Sequence, residues 1–294
     1  MTDVVLSFRG RQIREADVAF LRELIAQHRG LSRRRLSVRV CEAWGWMQPN
    51  GQPRDMVCRS LLLALHRAGH LELPAKQANP PNNAIRHRRV EPVQSLDLSA
   101  LEGTVASVQP LKIELVRRTD HEKLFAHLLS QYHYLGYSRP VGEHLKYLVW
   151  ARERPIACLG WSSAPRQLNL RDQLIGAPKE AYRHHLHRIA YNTRYLIVPW
   201  VKVPHLASHL LGRVARQLSE DWQALYDHPI DLLESFVDVE RFEGSCYRAA
   251  NWTCVGPSEG RGTKSKHGTS PVSIKELWVY PLHRDFRQRL LQVP

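Results

Sequence analysis

Apolar residues recur at helical spacing from Ile13 through Val18, Leu21, Leu24 and Ile25, and His28-Arg29-Gly30 supplies a cationic end and a glycine stop. Ser32 can cap a second helix running through Cys41. After a turn at Gln48-Pro49-Asn50-Gly51, Pro53-Arg54-Asp55 opens a third helix with Met56, Leu61, Leu62 and Leu65 on its apolar face. It ends at Ala68-Gly69, and His70-Leu71-Glu72-Leu73-Pro74 reads as a short strand. Apolar residues then almost vanish from Ala75 to Pro92, as in a linker. Strand patterns return at Leu111–Val116, Leu145–Ala151 and Pro155–Trp161, with a helix over His121–Gln131 between the first two. The apolar run Tyr195–Val198 leads past Pro199 and Pro204 into a helix marked by Leu206, Leu210, Leu211, Val214 and Leu218. A buried strand follows at Leu232–Val237, then a short helix over Ser245–Trp252.

This pattern divides the chain into a helical module at 1–74, a basic Pro/Asn-rich linker at 75–92 and a mixed α/β domain at 93–294. Three helices and a strand suit a winged helix-turn-helix, which lays one helix in the major groove. The charge favours that reading. Residues 1–90 hold sixteen Lys or Arg against seven Asp or Glu, a net +9 of the chain's +14. Such asymmetry points to a polyanion, most simply DNA, engaged at the N-terminal end. Arg33, Arg34 and Arg35 crowd the second helix start, and Arg54 and Arg59 belong to the third. Arg86, Arg88 and Arg89 make the linker basic, while Arg261 and Lys264 lie in a Gly-rich loop that could close over phosphates.

No run of about eighteen apolar residues is present, and the N-terminus lacks a secretory core, so a cytoplasmic, membrane-free protein is expected. The five scattered cysteines form no CxxC pair and read as reduced thiols, with no spacing that calls for zinc.

Several residues carry possible chemistry. Tyr247 could serve as a general acid, since a phenol stays protonated at neutral pH. Cys246, at a helix start, is a candidate nucleophile. Glu234 interrupts an apolar strand, a costly placement unless it faces a cleft or a cation. With Asp238 and Glu240 it could gather a divalent metal, although no motif requires one. His133 stands in Gln131-Tyr132-His133-Tyr134-Leu135-Gly136-Tyr137, a cluster suited to stacking a base or lining a pocket.

The element order from residue 93 resembles the GNAT (N-acetyltransferase) layout, a mixed sheet flanked by helices. That resemblance implies coenzyme A lying between two splayed parallel strands, with its pyrophosphate at a helix N-terminus. The matching grip reads Lys202-Val203-Pro204-His205-Leu206-Ala207: Lys202 and Ala207 fit, but His205 replaces the glycine that lets the pyrophosphate approach. The family's Tyr-x-x-x-Gly-Phe ending becomes Tyr247-Arg248-Ala249-Ala250-Asn251-Trp252, with Tyr247 in the place of the phenol that protonates the leaving thiolate. The cofactor is therefore left open.

His133-Tyr134-Leu135-Gly136, Arg171-Asp172-Gln173-Leu174-Ile175-Gly176, the segment from Val198 to Leu211 and Cys246–Trp252 together resemble the DruA family of the Druantia anti-phage system. The resemblance takes in nearly the whole chain, including Gly45-Trp46 and Asn50-Gly51. It implies a role in phage defence or mobile-element biology, with other defence proteins as partners, and supplies no settled activity. Three readings follow: a DNA-binding defence component, an acyltransferase acting on protein, RNA or a small molecule, and a metal-dependent DNA-processing enzyme.

Overall fold

The computed structural model describes residues 3–9, 11–49, 51–77, 96–258 and 273–292. The chain forms two compact units, one built from the described residues up to 77 together with 220–229, the other from residues 96–219 and 230–292.

In the first unit a hairpin of β1 (Val4–Phe8) and β2 (Arg11–Arg14) precedes α1 (Glu15–Gln27), α2 (Arg33–Ala43) and α3 (Asp55–Arg67). The helices follow the apolar spacing, and Ser32 caps α2 by accepting from the Arg35 amide. Val18, Leu21, Leu36, Val40, Leu61 and Leu65 are fully buried in its core. The expected strand over His70–Pro74 does not form. Leu71 and Leu73 are buried as in a strand, but the backbone is met by side chains: His66 Nδ1 bonds Leu71 O, and Arg33 donates to Pro74 O. A wing after α3 is therefore absent among the described residues, and the β1–β2 hairpin before α1 was not anticipated.

In the second unit, β3 (Leu101–Glu102) pairs in parallel with β8 (Val201–Lys202). The main sheet contains β4 (Leu111–Leu115), β5 (His144–Ala151), β6 (Arg154–Ser163), β7 (Ile189–Ile197), β9 (Leu232–Asp238), β10 (Thr253–Pro257) and β11 (Lys275–Pro281). Their spatial order is β10-β11-β9-β7-β6-β5-β4, antiparallel except where β7 meets β9. The helices are α4 (Glu122–Tyr132), α5 (Asn169–Ile175), α6 (Lys179–Tyr182) running into a 3-10 turn at Arg183–Arg188, α7 (Leu206–Tyr226), α8 (Ser245–Ala249) and α9 (Phe286–Leu291). A parallel pair needs a crossover connection, and α7 supplies it, burying Leu206, Leu210, Leu211, Val214 and Leu218. Its last turns belong to the first unit, where Trp222 and Tyr226 are buried and Asp227 pairs with Arg54 at 3.1 Å. Among the described residues, no helix is long and apolar enough to cross a membrane.

Candidate functional site

The pairing of β7 with β9 runs only from Ile189↔Leu232 to Asn192↔Ser235. Beyond it β7 continues to Ile197 and β9 to Asp238 without pairing with each other, while each stays paired with its outer neighbour, so the sheet opens between them. At the same point the β6–β7 register slips, skipping Thr193 between Asn192 and Arg194. Such a bulge sharpens local twist and turns one strand away from its neighbour. The opening is a cleft of about 700 Å³, within the size range of ligand sites.

Its floor is polar and buried. Ser235 Oγ donates to the Tyr247 hydroxyl at 2.9 Å, which in turn donates to Asn192 Oδ1 at 3.1 Å, and Asn192 Nδ2 reaches Gly160 O at 3.1 Å. Burial pushes the Tyr247 phenol well above its ordinary pKa, so it is protonated, but its proton is committed to Asn192. The helix carrying it is tightly terminated. Gly244 precedes α8 at φ +67°, and at the other end Asn251 takes a left-handed φ of +62°. The Trp252 amide bonds Tyr247 O and the Asn251 amide bonds Arg248 O, a Schellman cap completed by the Tyr247–Trp252 ring contact at 5.2 Å. Asn251 thus keeps the backbone shape that glycine gives the acetyltransferase pattern, since Asn tolerates that region best after glycine.

The grip at the start of α7 keeps its backbone and loses its chemistry. His205 is also left-handed, at φ +63°, with an exposed side chain. A Cβ and imidazole on that turn keep an anion from approaching the helix-end amides as it would past glycine. Lys202 pairs with Glu102 at 3.3 Å, and neither Lys202 nor His205 lines the cleft, which only Ala207 of the three reaches. These residues do not fit a coenzyme A pyrophosphate.

The other candidates separate. Glu234 and Ser235 face opposite sides of β9, and Glu234, fully buried, pairs with the fully buried Arg171 at 3.3 Å. Burial outweighs the Arg171 charge and lifts the Glu234 carboxyl to about 7. Glu234 therefore does not join Asp238, and no metal-holding cluster of three His, Cys, Asp or Glu exists among the described residues. Cys246 lines the cleft, but burial raises its thiol, contrary to the activation expected at a helix start. His133 also lines the cleft. Burial and then the Arg194 charge push it down to about 4, and its Nδ1 accepts from the Leu135 amide at 3.1 Å, so that nitrogen is not available as a base. Arg194 itself is held by Gly136 O at 2.8 Å and Thr193 O at 2.7 Å, fixing the turn after α4.

In the first unit, Arg33 donates to Pro74 O, and Arg54 donates to Met47 O and to Asp227. Arg34 and Arg59 remain exposed and converge on the buried Asp55, at 3.8 and 3.3 Å, with Arg35 exposed on the same turn of α2. Arg86, Arg88, Arg89, Arg261 and Lys264 lie outside the described residues. Asn192, Ser235 and Arg171 were missed as members of these networks. The one available signal was polarity inside an otherwise apolar strand, which Ser235 shares with Glu234 on β9, whereas β7 sets Asn192 beside Thr193 and Arg194.

A sheet of this order, four antiparallel strands, then a parallel partner and a terminal antiparallel pair around a splay, defines a GNAT-like α/β unit. The chain belongs to the DruA family: residues 64–268 match the family described as Druantia protein DruA. The match begins within α3, so the module with Gly45-Trp46 lies outside it, a narrower span than the motifs suggested. Among solved structures, the chain is similar to the spermidine/spermine N-acetyltransferase of Vibrio cholerae (10% identity, 62% of this chain, 98% of that one, TM-score 0.40). It is also similar to a GNAT acetyltransferase from Streptococcus pneumoniae (13%, 59% and 99%, 0.39) and to an aminoglycoside acetyltransferase bound to coenzyme A and kanamycin (13%, 61% and 98%, 0.38). None of the curated proteins compared with the chain matches it.

Proposed function

We propose that this chain is a DNA-binding component of a Druantia-type anti-phage system, whose GNAT-like unit works as a recognition element without coenzyme A. The observation that supports DNA contact is the convergence of Arg34 and Arg59 on one buried carboxylate, with Arg35 beside them, so that cations outnumber the acid on an exposed face. Guanidiniums placed so match phosphate oxygens in charge and geometry. The test is binding of duplex DNA by the full chain over a range of salt. Affinity should fall steeply with salt, and the triple substitution Arg34→Ala, Arg35→Ala, Arg59→Ala should flatten that dependence. No duplex binding at moderate ionic strength overturns the reading.

The open cleft favours a second reading, acyl transfer, and the same site argues against it, because the Tyr247 proton and the His133 Nδ1 are both engaged. Acetyl-coenzyme A at millimolar concentration should therefore raise the melting temperature no more than adenosine 3′,5′-bisphosphate alone does, since an added grip on the acyl-pantetheine arm by the folded state would raise it further. A rise of several degrees beyond that of the bisphosphate would restore the acyltransferase.

A further inference from the structure

We infer that the cleft between β7 and β9 is a nucleotide site, holding a nucleobase against its aromatic walls and a phosphate against Arg241 and Lys275. This rests on the reading that the protein engages nucleic acid, and it assigns that contact to a second place.

Two features define the ligand. The first is shape. Seven of the 24 residues lining the cleft are Phe or Tyr, more than a quarter, whereas aromatics make up 8% of the chain. Walls of that kind suit a flat ring, because every base offers a π-face to an aromatic side chain. Phe242, 51% exposed at the mouth, offers the free surface. Tyr134 backs it from the other loop, with ring centroids 5.4 Å apart, and is itself held between the His133 ring at 4.8 Å and the Arg241 guanidinium at 5.2 Å. The two aromatic residues belong to loops on opposite sides of the splay, one after α4 and one after β9.

The second feature is charge. Arg194, Arg241 and Lys275 outnumber Asp238 and Glu243 in the lining, which disfavours a cationic ligand in the same aromatic cleft. The movable positive groups gather at the C-terminal end of β9, where open α/β sheets place ligands. Lys275 is the cross-strand partner of Asp238, and Arg241 Nε lies 4.0 Å from its carboxylate. That carboxylate already accepts from Ser273 Oγ at 3.3 Å and the Glu240 amide at 3.3 Å. Arg241 thus approaches an acid that is already occupied, Lys275 stands beside it on the neighbouring strand, and both line the opening. A volume of about 700 Å³ accommodates one nucleotide with room for the chain to pass on.

The nucleotide could be free or belong to an unpaired strand. The experiment measures three probes on the full-length protein: a fluorescein-labelled single-stranded 12-mer, a labelled duplex of the same sequence, and a deoxynucleoside monophosphate by thermal shift. Phe242→Ala and the double substitution Arg241→Ala, Lys275→Ala should each weaken the single strand by about tenfold or more, the scale of one lost base stack. Duplex affinity should be unchanged. Arg34→Ala, Arg35→Ala, Arg59→Ala should show the reverse. A thermal shift with the monophosphate that Phe242→Ala removes, without strand binding, identifies a free nucleotide as the source. Unchanged single-strand and monophosphate binding in both cleft variants, or no binding of either probe by the wild type, overturns the inference even when duplex binding holds. Because Phe242 is half exposed, an unaltered circular-dichroism melt of Phe242→Ala separates lost binding from lost folding.

Discussion

A carboxylate inside an apolar strand has two outlets, a cleft or a cation, and the strand's alternation decides between them. Glu234 pairs across the sheet with Tyr191 and Val279 and turns toward Arg171, whereas its neighbour Ser235 turns toward Tyr247. One position of slip would exchange them. The raised Glu234 carboxyl carries a measurable consequence. Its folded-state value, about 7, lies above the ordinary value of 4.5, so the folded protein holds this proton more tightly. The contribution to stability is complete below the unfolded value and is lost as pH rises from about 4.5 through 7. Glu234→Gln removes the titration. Urea denaturation at pH 4.5 and at pH 7.5 should show the wild type losing up to about 3 kcal/mol relative to Glu234→Gln over that interval. Parallel pH dependence in the two proteins contradicts the assignment. The presence of a burdened Glu at 234 was legible in the sequence, but Arg171 was not, because 63 residues separate the partners and only the fold brings them together.

At the scale of elements, the acetyltransferase pattern survives in backbone where it fails in side chains. His205 and Asn251 both stand where that pattern has glycine, and both keep a left-handed φ. The turn geometry is a demand of the fold, whereas the open approach to an anion is a demand of the cofactor, and only the first is met. The short helix α8 depends on a third such turn. A Cβ added to Gly244, at φ +67°, would meet the Trp278 ring at 2.7 Å. Gly244→Ala combines left-handed strain with that clash and should destabilise the protein by about 1–3 kcal/mol. Chemical denaturation checks it, and a loss below about 0.5 kcal/mol would mean that Trp278 yields freely. The helices α1, α2, α3, α4 and α7 were legible because their apolar spacing has the period of the helix, and so were the strands β4, β5, β6 and β9. The β1–β2 hairpin was not, since Val4–Phe8 lacks clean alternation and the one apolar residue of Arg11–Arg14, the buried Ile13, also fits the spacing of the following helix. The false strand at His70–Pro74 shows the converse, an alternating pattern with no partner edge to join.

For the whole molecule, charge and contact divide the chain differently. Net charge falls into an N-terminal block of +9 and a remainder of +5. Contacts instead carry residues 220–229 into the first unit, where Arg9 donates to Tyr226 O at 2.7 Å and Arg54 pairs with Asp227. Part of the basic excess is thereby internal, and the surface that can meet phosphate is narrower than the composition suggests. The salt experiment measures this surface directly. Each lost phosphate contact should lower the slope of log affinity against log salt by about 0.9, so the Arg34, Arg35 and Arg59 triple variant should lose at most about 3 units of slope. A variant slope equal to the wild type places the contact elsewhere.

By itself the sequence determined the longer helices and the strands β4, β5, β6 and β9 in their order, because hydrophobic period, caps and turn residues act over a few neighbouring positions. It also determined the kinship with DruA proteins. The tertiary structure alone decided which polar residues meet. Tyr247 joins Asn192 and Ser235, Glu234 joins Arg171, and Lys202 turns to Glu102, since strand register and the splay of β7 from β9 assign each side chain to a face and a partner far away in the chain. Register is a property of paired strands, and for partners distant in the chain the pattern of one strand alone is not enough to fix it.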